Sequence, residues 1–396
     1  MLSKRVRNIK PSATLVLTGK VAELKKAGVN IISFNVGEPD FATPQNICNA
    51  GIQSINANFT KYTGVSGIIE LREAICKKFK DDNNVEYKPY EISVGTGAKQ
   101  PLVNAILTLC DTDDEVILPT PCWVSYEEMI KLADAKPVFV PTKESEGFAL
   151  DLDAIEKAIT KNTKAILINT PNNPTGAVYS EKSLRKLAEM ALKHDFYIIS
   201  DEVYEKLIYD GEKHFCIASI SKEVRDKCVV INGFSKAYAM TGWRMGYAAA
   251  QKEIIDGINA IQGHMTSAAN SITQMACLEA LVGPQESLET MRVEFDKRRL
   301  YLLNRLNAIE NISCANAKGA FYLMPNISGL FGKSYGDKVI KDSLDVAEFL
   351  LDKAHIAVVP GAAFESINNI RFSYSNSMYN IKEGLDRMEE ALKLLK

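Results

Sequence analysis

The sequence predicts an α/β protein with two domains, a large one built on a mostly parallel sheet and a smaller α+β one. Its 396 residues exceed the size that one hydrophobic core usually serves. Through the middle of the chain, short and nearly continuous apolar runs alternate with helical patterns, as in parallel sheets that helices cover on both faces. After about residue 285 this alternation stops, so a second domain is expected there.

Seven apolar runs are the predicted strands of the large domain. They cover residues 92–95, 115–119, 137–140, 164–170, 196–200, 228–232 and 246–250. Helical patterns separate several of them, at residues 101–110, 152–159 and 181–194. Because strands joined through helices usually pair in parallel, the sequence predicts a mostly parallel seven-stranded sheet.

The small domain is predicted from a long charged helix and the mixed elements that follow it. These are a helix at 287–308, a strand at 320–324, a helix at 344–354, a strand at 369–374 and a helix at 381–395. The N-terminal segment is expected to pack with them. The predicted division is therefore 44–285 for the large domain, and 1–43 together with 286–396 for the small domain.

Composition narrows the class of protein. A net charge of −2 with interspersed signs predicts neither a nucleic-acid nor a membrane partner, and no apolar run approaches the ~18 residues of a spanning helix. The eight cysteines contain no C-x-x-C pair, which indicates reduced thiols. The four histidines show no metal-ligand spacing, so no metal is expected. These features favour a cytoplasmic protein.

Three polar motifs follow predicted strands of the large domain. They are the turn at 172–176, the pair Asp201 and Tyr204, and the pair Ser235 and Lys236. Each alone has an ordinary explanation, since Asn-Pro and Thr-Gly form turns and an aspartate after a strand often caps a helix. At the carboxyl ends of successive strands, the three together predict a ligand site.

Residues 172–176 and 235–244 resemble motifs of the class I and II aminotransferases, as do residues 37–41, Tyr62 and the strand that carries Arg371. The similarity covers nearly the whole chain in order and is greatest to the bacterial aspartate aminotransferase subgroup. It implies the pyridoxal-phosphate-dependent transferase fold type I, pyridoxal 5′-phosphate as cofactor, and amino transfer between small-molecule amino acids and 2-oxo acids by a ping-pong Schiff-base mechanism.

The resemblance also assigns catalytic roles. Lys236 matches the lysine that binds the cofactor aldehyde and moves a proton between the substrate's α-carbon and the cofactor. Asp201 matches the carboxylate that keeps the pyridine nitrogen protonated. Tyr204 and Asn173 match the side chains that reach the cofactor's phenolic oxygen.

A phosphate site is expected where the strand 92–95 ends and a helix begins. Small residues occur there, and the free N–H groups of Gly97, Ala98 and Lys99 would face an anion. The family adds a hydroxyl, a guanidinium, a stacking ring and a tyrosine from the neighbouring subunit, which Ser235, Arg244, Trp123 and Tyr62 match. The Tyr62 match implies a homodimer with shared active sites. For Trp123 a core position is the alternative, but its place after a buried strand favours stacking.

The expected substrate contacts divide into two groups. Arg371 lies among apolar strand residues and matches the arginine that binds the substrate's α-carboxylate bidentately, with Gly37, Asn173 and Trp123 beside it. Lys99, at a helix N-terminus, opposes the helix dipole, so a compensating anion is expected. In the subgroup resembled, that lysine and a threonine matching Thr14 hold the distal carboxylate of aspartate or glutamate. A solvated lysine is the alternative.

The predicted reaction is therefore L-aspartate plus 2-oxoglutarate giving oxaloacetate plus L-glutamate. Prephenate, aromatic or alanine substrates stay open as alternatives within the family. Two rival classes fit poorly. Residues 95–99 lack the spacing of a P-loop, and Gln100 stands where a dinucleotide fingerprint needs its third glycine. A non-catalytic sensor module would not be expected to keep Lys236, Asp201, Tyr204 and Arg371 together.

Overall fold

The computed structural model describes residues 2–396. The chain begins with α1 (Lys4–Asn8), α2 (Ala13–Lys26), β1 (Ile32–Ser33), α3 (Gln45–Asn56) and α4 (Ile69–Asn83). The large sheet and its helices follow as β2 (Ile92–Thr96), α5 (Lys99–Leu109), β3 (Glu115–Thr120), α6 (Ser125–Leu132), β4 (Lys136–Pro141), α7 (Leu152–Ala158), β5 (Thr163–Asn169), α8 (Glu181–His194), β6 (Tyr197–Asp201), α9 (Lys222–Asp226), β7 (Cys228–Gly233) and β8 (Met245–Ala249). The predicted strands and helices of this region are confirmed to within a residue or two.

The large sheet has seven strands in the order β2-β8-β7-β6-β5-β3-β4. The strands from β7 to β4 pair in parallel, whereas β8 runs antiparallel to both of its neighbours. The mostly parallel sheet predicted from sequence is therefore confirmed. Because β5, β6 and β7 are adjacent and parallel, the residues that follow them lie side by side at one edge of the sheet.

Both faces of this sheet are buried, which explains why its strands are almost continuously apolar. Along β5, Ile166 and Ile168 pack into one hydrophobic cluster, and Ala165 and Leu167 pack into another on the opposite face. Successive side chains point to opposite faces of a strand. Helices covering both faces therefore require apolar residues at every position.

The remaining elements are α10 (Lys252–Met265), α11 (Ser271–Val282), α12 (Glu286–Ala308), β9 (Tyr322–Leu323), β10 (Ser334–Tyr335), β11 (Lys338–Val339), α13 (Ser343–Phe349), β12 (Ile356–Ala357), β13 (Val359–Pro360), β14 (Ile370–Ser373) and α14 (Met378–Leu392). A π-helical turn, Leu350–Ala354, continues α13. The predicted strand 320–324 is shorter in the structure, because Ala320 has a φ of 57°, outside the range of extended strands.

A third hydrophobic cluster lies among α12, α14 and β14, and includes Phe34 from the N-terminal segment and Tyr204 from the end of the large sheet. The N-terminal segment also pairs with the C-terminal part of the chain, since Ile32 of β1 lies opposite Ile356 of β12 in a parallel bridge. Within residues 2–396, no helix is both long enough and apolar enough to cross a membrane.

Candidate active site

A cavity of about 390 Å³ opens at the carboxyl ends of β5, β6 and β7. Most of the site residues expected from sequence line it: Thr14, Gly37, Ala98, Lys99, Trp123, Asn173, Asp201, Tyr204, Ser235, Lys236, Arg244 and Arg371. Gly97 and Tyr62 do not line it. Residues scattered between positions 14 and 371 thus meet at one place, as the strand-end argument predicted.

Lys236 follows β7 and reaches into the cavity with its amine buried. Its Nζ donates a hydrogen bond to the backbone carbonyl of Gly37 at 2.5 Å. Burial lowers the pKa of this amine to about 8, and the positive charge of Arg371 acts in the same direction. A lysine with a lowered pKa supplies neutral amine near physiological pH, which is what an amine nucleophile needs.

Asp201 is the last residue of β6, and its carboxyl group lies buried on the cavity wall. Tyr126 donates a hydrogen bond to its Oδ2 at 2.7 Å, and the Val203 N–H donates to Oδ1 at 3.3 Å. Burial raises the pKa of Asp201 to about 6, against the opposing effect of the Tyr126 hydrogen bond. In the described chain no cation forms a salt bridge with Asp201, so its carboxyl group is open to pairing with a cationic ligand group.

A second group of polar side chains surrounds Arg371 on β14. Its Nη1 donates to Asn173 Oδ1 at 2.9 Å, and its Nη2 donates to the carbonyl of Asn35 at 2.8 Å. The guanidinium lies 4.5 Å from the ring centre of Tyr322, and the Tyr322 and Tyr204 hydroxyls are 2.9 Å apart. Arg371 Nε is buried and has no partner in the described residues. This unmet donor of a guanidinium fork favours a carboxylate ligand.

The turn between β2 and α5 brings a helix N-terminus to the cavity. Gly97 adopts a φ of 67°, and a Cβ at this position would meet the guanidinium of Arg244. Arg244 is itself held by a hydrogen bond from Nη1 to the Thr241 carbonyl at 3.0 Å. The first N–H groups of a helix lack partners within it. Together with Ser235, these donors form a site suited to a phosphate group.

The residues present therefore fit pyridoxal phosphate. A nucleophilic amine, a buried carboxylate and a cluster of anion-binding donors correspond to the aldehyde, the pyridine nitrogen and the phosphate of that cofactor. Trp123 lies on the same wall, where its ring makes an edge contact with Tyr126 at 5.3 Å between ring centres.

Lys99 and Thr14 lie at the outer part of the cavity. The Lys99 Nζ is 4.6 Å from the ring centre of Trp123 and donates to Ser125 Oγ at 3.3 Å. Burial lowers the pKa of Lys99, and the charge of Arg244 adds to this effect. The Thr14 hydroxyl lies 2.9 Å from that of Ser12. No carboxylate of residues 2–396 forms a salt bridge with Lys99, so its charge is available to a ligand.

Tyr62 is separate from this cavity, and 96% of it is exposed. Within one chain it therefore does not line the cavity with the other expected site residues. Among the cavity residues that were not expected from sequence, Tyr126 and Tyr322 make hydrogen bonds to expected ones, to Asp201 and Tyr204. Tyr126 occurs three positions after Trp123, in the first turn of α6, and this short spacing was the available signal for it. Tyr322 occurs on a predicted strand, but nothing in the sequence indicated which of its side chains faces Arg371.

Comparison with known proteins agrees with this geometry. The family model described as aminotransferase class I and II matches residues 29–388. The aspartate aminotransferase of Bacillus subtilis is 45% identical to this chain, over 98% of both proteins. A probable aspartate/prephenate aminotransferase of Rickettsia bellii is 44% identical, over 99% of this chain and 98% of the relative.

A solved structure shows the same architecture. The crystal structure of the aspartate aminotransferase from Rhizobium meliloti superposes with a TM-score of 0.97 at 39% identity, over the full length of both chains.

Proposed function

The chain belongs to the class I and II aminotransferases, and we propose that it moves an amino group between L-aspartate and 2-oxoglutarate, giving oxaloacetate and L-glutamate. Two aspartate aminotransferases that are similar to this chain over nearly their whole length support this assignment. The observation that carries the proposal is the convergence of Lys236, Asp201 and Arg371 on one cavity.

When bound, pyridoxal 5′-phosphate supplies an aldehyde that condenses with amines and a ring that withdraws electrons from the substrate's α-carbon. We assign Lys236 to this aldehyde and to proton transfer, because an amine with a pKa of about 8 accepts and releases protons near neutral pH. Asp201 holds the ring nitrogen's proton by charge pairing, which also offsets the penalty of its own burial. Tyr204 and Asn173 are assigned to the phenolic oxygen.

The phosphate is assigned to the N–H groups of Gly97, Ala98 and Lys99, with Ser235 and Arg244 as side-chain donors. Tyr62 does not line this cavity and is almost fully exposed, so its proposed role requires that it reach the cavity of a second chain. The proposed assembly is therefore a homodimer in which each subunit contributes one tyrosine to its partner's phosphate site.

The substrate is assigned to two cationic groups at opposite sides of the cavity. Arg371 binds the α-carboxylate, beside Gly37, Asn173 and Trp123. Lys99, with Thr14, binds the distal carboxylate, and the absence of a salt bridge on Lys99 in the described chain supports this role. Prephenate also carries carboxylates, and the relative from Rickettsia bellii makes it the second candidate substrate.

The cofactor assignment is tested by replacing Lys236 with Ala. After removal of free pyridoxal phosphate, the visible band that comes from the imine between protein and cofactor should be lost, because the amine that attaches the aldehyde is gone. Lys222→Ala is a suitable control, since Lys222 is an exposed lysine paired with Asp226. A band of unchanged intensity in Lys236→Ala would contradict the assignment.

The substrate assignment is tested by Lys99→Ala with a panel of amino donors and oxo acceptors that includes prephenate. Loss of a charge-assisted contact of about 1.5–3 kcal/mol should lower kcat/KM for aspartate and 2-oxoglutarate by about 10- to 100-fold. Alanine and phenylalanine, which lack a distal carboxylate, should be affected far less. Equal losses for all donors would refute the distal role of Lys99.

A further inference from the structure

A buried cluster of ionisable side chains lies behind the cavity wall and has no part in the function proposed above. Asp201 and Tyr204 line the cavity, whereas Glu202 and Glu205 of the same segment do not. Glu202 is fully buried, and its Oε2 lies 2.7 Å from His214 Nε2. In the segment 201–205, Asp201 and Tyr204 thus face the cavity, whereas the carboxylates of Glu202 and Glu205 lie outside it.

The cluster contains two carboxylates and two basic groups. Glu202 accepts a hydrogen bond from Ser200 Oγ at 3.0 Å on its other oxygen. Glu205 forms a salt bridge with Lys78 and accepts from Asn83 Nδ2 at 3.0 Å. Ligand atoms of Glu202, Glu205 and His214 lie within 4.8 Å of one another, but the Lys78 ammonium already supplies a cation there. The charges of the cluster balance only when His214 is protonated.

The groups around His214 favour its protonated form. Burial by itself would lower the pKa of His214, and the charge of Lys78 acts in the same direction. The charge and hydrogen bond of Glu202, together with the charge of Glu205, outweigh both and raise the pKa of His214 above its usual value. The other titratable neighbours carry no charge, because burial raises the pKa of each: Cys216, Cys228 and Tyr87.

Charged groups at the rim of the cluster form ion pairs of their own. Arg225 lies over the Tyr87 ring, 5.5 Å from its centre, and is paired with Glu91 and Asp226. Lys206 is paired with Asp82. Asp82 also lies 3.9 Å from the Lys78 ammonium, so the rim brings acidic groups as well as cations. Among the basic groups, His214 is the one that contacts Glu202.

We propose that His214 is a positioning residue for Asp201, acting through Glu202. By carrying a positive charge against Glu202, it prevents a second negative charge from acting on the adjacent Asp201. By its hydrogen bond it ties the back of the segment 201–205 to the loop at 211–216. The inference that this matters for the cofactor rests on the proposed function, since Asp201 is assigned there to the ring nitrogen.

The first test needs no cofactor and is therefore independent of the proposed function. Side-chain ¹⁵N NMR of the cofactor-free protein should show one histidine that stays doubly protonated above pH 7, and His214→Gln should remove that signal. Glu202→Gln should move the same titration to the ordinary histidine value of about 6.5 or lower. Titration of His214 at or below that value in the unaltered protein would overturn the proposal.

The second test uses the holoenzyme and follows the pH midpoint of the bound cofactor's visible band. In His214→Phe an uncompensated Glu202 charge should raise this midpoint by about one pH unit, because a nearby negative charge favours the protonated form of the group that titrates. The double variant Glu202→Gln/His214→Phe should return it to the value of the unaltered enzyme, because the charge is gone.

Two further variants separate charge from folding. His214→Gln keeps a hydrogen-bond donor without the charge, so it should raise the midpoint in the same direction as His214→Phe. His194→Phe, which removes a partly exposed histidine paired with Glu156, should leave the midpoint unchanged. An unshifted midpoint in both His214 variants, or a shift that persists in the double variant, would overturn the role of the charge.

Discussion

The surroundings of Asp201 make ionisation of its carboxyl group unfavourable. It is buried, and the only side-chain hydrogen bond that it accepts within residues 2–396 comes from the neutral hydroxyl of Tyr126. Such a group is unfavourable for folding and favourable for binding a cationic ring. Local instability of this kind is common where a site must hold a charged partner.

This reasoning predicts that Asp201→Asn stabilises the cofactor-free protein. The pKa of Asp201 is about 6 in the folded chain against a reference of 3.8, so stability falls as pH rises through this window and the full penalty applies above it. A difference of about two pH units corresponds to about 3 kcal/mol. Asparagine can still accept the Tyr126 hydrogen bond but carries no charge.

Urea unfolding of both cofactor-free proteins measures the effect. At pH 7 the variant should be more stable by about 3 kcal/mol, and the advantage should shrink as the pH is lowered toward about 4, where the native carboxyl group is protonated. An advantage of the same size at every pH would mean that charge is not its cause. With cofactor present the order should reverse, because only the carboxylate pairs with the ring.

At the scale of elements, α12 connects the segment that follows β6 with the segment that precedes β9. Arg299 on this helix is fully buried and pairs with Asp210, in the segment after β6, at 2.5 Å. It also pairs with Asp296 on its own helix and donates to the carbonyl of Ala317 at 3.0 Å. One guanidinium therefore connects three separate segments around the third hydrophobic cluster.

Arg299→Met should destabilise the protein by about 3–5 kcal/mol, the usual consequence of removing one partner from a buried ion pair. Arg305→Met is the matched control on the same helix, because Arg305 is partly exposed and pairs with the exposed Asp386. Its loss should be about 0–1 kcal/mol. Thermal or urea unfolding compares the two, and equal losses would contradict the connecting role of Arg299.

At the scale of the whole molecule, the sheet was predictable because strands that are buried on both faces consist of consecutive apolar residues. In β5 the four residues from Ala165 to Ile168 are all apolar and buried, so the strand could be recognised from its own sequence without knowing which strands pair with it. The helices α1 and α2 were not predicted, and the structure explains this. Within them Val21 is the only buried residue, so they carry little apolar periodicity.

The cavity was predictable where strand ends and family motifs coincide, as for Asp201 and Lys236. It was not predictable where a contact joins residues far apart without a motif. The Tyr126 hydroxyl meets Asp201 across 75 positions, and Tyr322 meets Tyr204 across 118. Contacts of this range depend on how helices and strands pack, which no local pattern records.

One of the proposed site residues, Tyr62, does not line the cavity of its own chain. Tyr62 is assigned to the phosphate of a partner subunit, and its 96% exposure agrees with a role outside its own cavity. If sites are shared in this way, two differently damaged chains should repair each other. A chain with Lys236→Ala retains a working Tyr62, and a chain with Tyr62→Ala retains a working Lys236.

Unfolding and refolding a mixture of these two inactive or weakened variants should therefore produce heterodimers with one intact site each. Equal mixing into a two-fold dimer gives about half heterodimers and hence about a quarter of the original activity, measured at a cofactor concentration that limits Tyr62→Ala alone. Mixing without exchange of subunits is the control and should give only the sum of the separate activities. If refolded and unexchanged mixtures matched, Tyr62 would be acting within its own chain or not at all, since complementation requires that its hydroxyl cross the subunit boundary.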